Sequence, residues 1–170
     1  MSFLLISIIV ISVVGTLSHF VYELSNKNII LGLFTSVNES TWEHIKIALT
    51  PTIIWSLVDG YIYGNNLNYF FAKFISLSSI IILMPILYYG YKYIFNKNNA
   101  LFNIIIFYVV IICSQLVFNY LLNIPIISYN LRYISCIGLF IIFGCYLLLT
   151  LLPIKNFLFK DPISNQYGYK

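Results

Sequence analysis

Apolar residues run along this chain in five blocks, at 3–22, 45–63, 69–91, 101–122 and 133–152, with short polar stretches between them. Each block is about 20 residues long, enough to cross a ~30 Å hydrocarbon core at a rise of ~1.5 Å per residue. A backbone in lipid must satisfy its own hydrogen bonds, and these continuous blocks do so only as helices. The pattern therefore predicts an all-α fold: a polytopic membrane protein, a bundle of five transmembrane helices, forming one domain over 1–170. Pro51 and Pro85 fall inside blocks and should kink them. The first block has no basic residue ahead of it and outruns a signal-peptide core, so it reads as a retained helix.

Between the first two blocks, "NKNIILGLFTS" is too short to span and should lie in the interface or pack on the bundle. The connectors "GNNLN", "NKNNA" and "NIPIISYN" carry the Asn, Gly and Pro of turns. The partly apolar tail, 153–170, should lie along a surface.

Composition strengthens the membrane reading. Charged residues make up 8% of the chain and hydrophobic ones 61%, whereas a soluble domain carries roughly a quarter charged. The net charge of +4 forms no basic cluster, so membrane lipids are the expected partners and nucleic acid is not. The cysteines lie in apolar runs without Cys-x-x-Cys spacing and read as packing residues. Many of the 15 tyrosines sit at block ends, as in an aromatic belt. With five spans, Lys27, Lys46, Lys92, Lys97, Lys155, Lys160 and Lys170 share one side, and Lys73 and Arg132 the other. The positive-inside rule then places the N-terminus out and the C-terminus in.

Against this background, polar chemistry gathers at two consecutive block edges. Ser12, Thr16, His19 and Glu23 share one helix face by their spacing. Lys27 is available to Glu23 one turn on. "VNESTWEHIK" opens the second span. In it Ser40 and Glu43 match a capping box, Asn38 is a competing N-cap, and Val37 and Trp42 are placed as a staple. Glu39, Glu43, Lys46 and Thr50 would lie on one stripe.

Facing each other, the two edges would form a ligand or metal site from His19, Glu23, Glu43 and His44, with Glu39 and Asn38 in support. Such a set suits a divalent metal, a proton relay or a polar lipid headgroup. Adjacent Glu43 and His44 point about 100° apart on a regular helix, so one ion could use both only if the helix start unwinds. At the other end, Asp59, Lys73, Gln115, Asn119 and Arg132 suggest an ion pair with interhelical hydrogen bonds, or one end of a polar path.

The run Val37 to Lys46, followed by Pro51, together with "GTLSHFVYELS" and the tail "LFKDPISNQYGY", resembles a family of small bacterial integral membrane proteins of unknown function. The resemblance implies a multi-pass protein of the bacterial cytoplasmic membrane and transfers no catalytic residue or cofactor. The leading functional expectation is binding of a cation or polar ligand at the His/Glu cluster. Its enzymatic form is a metal-dependent hydrolase with Glu43 as base and His19 or His44 as metal ligand. The alternatives are a transporter or proton relay that includes Asp59, and a helper subunit without a ligand site.

Overall fold

Five strongly apolar helices appear where the hydrophobic blocks predict them. The computed structural model describes residues 2–95, 99–126 and 128–169. Lys97 and Lys170, used in the charge reading, and part of the connector "NKNNA" lie outside the described residues. The helices are α1 (Ser2–Leu24), α2 (Ile29–Gly32), α3 (Thr41–Tyr63), α4 (Tyr69–Phe95), α5 (Ala100–Asn123) and α6 (Tyr129–Leu151). All but α2 are long and apolar enough to cross a membrane, and no strand occurs among the described residues. α3 begins four residues before the predicted 45, because Ser40 caps a first turn whose polar residues had masked the helix.

The central α4 packs against α3, α5 and α6, while α1 packs against α3 and α5. Outward positions are lipid-like, with Leu57 78% and Phe140 74% exposed. Inward ones hold small and hydrogen-bonded groups, such as the Ser76–Ser114 hydroxyl pair at 2.8 Å between α4 and α5. Pro51 lacks an N–H, so the Ile47 carbonyl four residues earlier has no helical donor. Gly15 of α1 lies against that carbonyl: a Cβ there would come within 2.7 Å of Ile47 O and of the Phe107 ring. A glycine and a proline on facing helices thus let α1 close onto α3 and α5 near His19.

The chain ends lie at opposite ends of the bundle. Phe3 stacks beside Trp55 at 5.7 Å, near the end of α3. The tail instead covers the start of α3, called here the motif end. Phe159 is buried there against the Trp42 ring at 5.0 Å. Asp161, fully buried, accepts from Ile163 N and Ser164 Oγ and so closes the tail's turn. Both partly apolar segments therefore pack on the bundle: α2 buries Gly32, close beneath Tyr22 and Tyr169.

Candidate functional site

The approach to α3 is built almost entirely from the motif's own hydrogen bonds. Ser40 is the N-cap, its Oγ accepting from Glu43 N at 3.4 Å. The expected return half of the capping box is absent. Ser40 N donates to Asn38 Oδ1 at 2.9 Å, while the Glu43 carboxylate takes Val37 N at 2.9 Å. Asn38 Nδ2 reaches the Gly168 carbonyl at 2.9 Å, which ties the loop to the tail. Trp42 N donates to Leu158 O at 2.9 Å. Its ring packs on Phe159.

One residue ahead of the cap, Glu39 is off the helix and outside the stripe expected for it. Its carboxylate turns toward α1, where Oε1 lies 3.3 Å from His19 Nε2. Oε2 lies 3.9 Å from His44 Nε2, and the two imidazoles are 6.2 Å apart. His44 Nδ1 sits 3.0 Å from the Ser40 carbonyl. A carbonyl only accepts, so Nδ1 carries the hydrogen and neutral His44 presents Nε2 as a lone pair toward Glu39. His19 Nε2 donates to the other carboxylate oxygen.

These groups form the polar wall of a cavity of about 310 Å³ between α1, α3 and α5. Thr16 and Tyr108 add hydroxyls bonded to each other at 3.0 Å, and Ile47 and Phe107 supply apolar walls. At the rim, Phe20 and Ile104 are 56% and 52% exposed, so the cavity borders the lipid-facing surface of the spans.

The Glu39 carboxyl is held below its ordinary value of 4.5 by the hydrogen bond from His19, with partial burial opposing. The sign follows from linkage: the contact stabilises fully above that value and is lost as pH falls through the lower native one. Acid unfolding curves should therefore contain a component from pH 4.5 downward that Glu39→Gln removes. Identical acid limbs in wild type and variant would refute it.

The other sequence candidates lie elsewhere. Glu43 points away from His44 and pairs with Lys46 at 2.6 Å, both side chains buried, and Lys46 Nζ also donates to the Gly32 carbonyl at 2.9 Å. The angular objection to a joint Glu43–His44 site holds, since the helix start is regular. Glu23 is exposed and makes no ion pair among the described residues. α1 ends at Leu24, and Asn26 and Lys27 have positive φ, so the chain turns before Lys27 can sit one helical turn from Glu23. Among the described residues, no group of three or more His, Cys, Asp and Glu is placed to hold a metal ion. Tyr108 went unpredicted because it looks like any tyrosine in an apolar span, and Asn103, which also lines the cavity, sits in a similarly apolar run.

At the far end, Asp59 binds Lys73 at 2.5 Å and the Tyr69 hydroxyl at 2.7 Å. Arg132 is not part of that pair. Its guanidinium lies 5.0 Å from the Phe70 ring and 3.5 Å from the Gly64 carbonyl. Gln115 is buried with neither amide atom hydrogen-bonded, whereas Asn119, one turn on, is exposed.

Five apolar helices around a small polar cluster define a multi-pass helical membrane protein. Residues 1–169 match the family of unknown function DUF6512, and the chain belongs to that family. No curated protein matches it, and no solved structure does.

Proposed function

We propose that the protein binds an amphiphile whose polar head donates hydrogen bonds to Glu39 and His44 and whose apolar body lies along α1 and α5. One observation carries this reading. Glu39 Oε2 and the Nε2 of a neutral His44 imidazole are two acceptors that stand 3.9 Å apart beside the cavity. Two lone pairs so placed call for a donor between them, and an ammonium or hydroxyl head supplies it. The apolar walls and exposed rim favour a ligand that arrives through the lipid. The lysines gathered at the motif end support an inner-face position for this site, in the bacterial cytoplasmic membrane that the family resemblance implies.

The hydrolase reading with Glu43 as base has no support from this geometry, because Glu43 is engaged by Lys46 and Val37. A matched pair of probes tests the proposal in detergent. Dodecylamine and dodecyltrimethylammonium share chain and charge, but only the first has N–H donors. Dodecylamine should raise the melting temperature of the protein saturably, and the trimethyl compound should not. Glu39→Gln should weaken the response roughly tenfold or more, as for loss of a charge-assisted hydrogen bond. Equal responses to the two probes would sink the reading.

A further inference from the structure

Among the described residues, the far end of the bundle contains a cation without an anion. The chain has five acidic residues. Glu39 and Glu43 are engaged at the motif end. Glu23, at the end of α1, and Asp161, in the tail, also belong to that end. Only Asp59 lies near Arg132, and it is already held by Lys73 and Tyr69. Among the described residues Arg132 therefore has no acidic partner, and its guanidinium donates to the Gly64 carbonyl at 3.5 Å. Nor does its guanidinium range freely into water, for it rests against Phe70.

Phe70 also lines a second cavity, of about 280 Å³, between α3, α4 and α6. α6 meets α3 where the Tyr146 hydroxyl bonds Thr50 at 2.8 Å, and towards the far end a groove remains between them over α4. Its α6 wall includes Cys136, Leu139, Phe140 and Phe143. Those residues follow Arg132 at helical spacing, so the arginine heads the same helix face. From Arg132 to Phe143 the face runs about 16 Å along the axis. Arg132 thus stands one turn before the start of a mostly apolar trough that runs along the α6 axis, with Phe140 largely exposed.

We propose that this groove binds one anionic phospholipid of the far-end leaflet, its phosphate on Arg132 and an acyl chain in the trough. The occupant follows from charge complementarity: a guanidinium with no carboxylate partner among the described residues is matched by a phosphate, for which arginine's planar fork is suited. The site is separate from the Glu39 cavity and does not depend on it.

Native mass spectrometry of the full chain with phosphatidylglycerol or phosphatidylcholine of identical acyl composition tests it. One phosphatidylglycerol should be retained in preference to phosphatidylcholine. Arg132→Gln should reduce that preference roughly tenfold, the factor for one charge-assisted hydrogen bond. Leu139→Trp, which fills the trough and spares the arginine, should lower retention of both lipids, while Glu39→Gln should change neither. Equal retention in the wild type, or a preference that survives Arg132→Gln, would overturn the site. Retention unaffected by Leu139→Trp would also overturn it, as would a wild-type dimer that Leu139→Trp splits, which would assign the groove to a second copy.

Discussion

Lys46→Met should destabilise the protein by about 3–5 kcal/mol, the cost of leaving a buried charge without its partner. Glu43 and Lys46 are 4% and 0% exposed, and their 2.6 Å contact lies inside the motif end. Without the ammonium, the carboxylate keeps only the Val37 N–H, and the Gly32 carbonyl loses its donor. Glu43→Gln should be costly for the converse reason. Lys46→Met combined with Glu43→Gln should recover most of the loss, because the amide oxygen still accepts from Val37 N and no charge remains buried. Chemical unfolding in detergent, followed by circular dichroism, measures each step. If Lys46→Met unfolds at the wild-type denaturant concentration, the pair is not what holds this end. The same variant should blunt the dodecylamine response, since Lys46 orients the Glu43 carboxylate that holds Val37 and with it the loop that aims Glu39.

The second large effect separates ligand binding from any path across the bilayer. Lys73→Met alone should cost a similar ~3–5 kcal/mol, because Asp59 is fully buried and the Tyr69 hydroxyl is its other bonded partner. Asp59→Leu with Lys73→Met replaces the ion pair by apolar side chains and should unfold close to the wild type. That double variant should also keep the full dodecylamine response. Asp59 lies fifteen residues beyond His44 on α3, about 22 Å away along the helix axis. A proton or substrate path joining the two ends would instead lose function in the double variant, even though it folds. A full response in the folded double variant excludes a relay through Asp59 as a condition of binding.

The motif that dominates the sequence is mostly architecture. Within Val37 to Lys46, Asn38 binds the tail, Ser40 caps α3, Trp42 packs under Phe159, and Glu43 and Lys46 neutralise each other. Glu39 and His44 are the motif's cavity-lining residues. The tail "LFKDPISNQYGY" has the same character: Asp161 shapes its turn and Gly168 accepts the Asn38 amide. Dense polar sequence at a membrane edge thus reflects first the need to satisfy a buried backbone, and only then a ligand site.

Helical periodicity was enough to place Ser12, Thr16 and His19 on one face, and the 100° between adjacent residues was enough to separate Glu43 from His44. It failed at Lys27 and Glu39, which lie beyond helix ends. There the face of a side chain is set by turns, and no period carries through the positive φ of Asn26 and Lys27 or the non-helical Glu39. Composition and block length alone pointed to five membrane helices, because continuous apolar blocks of about 20 residues fit helices and not the short alternating strands of a closed barrel. Which scarce charges would meet depended on helices distant in sequence. Gly15 against Ile47 brought His19 to Glu39, and the order of α3 and α4 gave Asp59 to Lys73 and left Arg132 without a carboxylate among the described residues. Pairing between helices is a property of three-dimensional proximity that local pattern does not contain, unlike the Glu43–Lys46 pair three residues apart on α3.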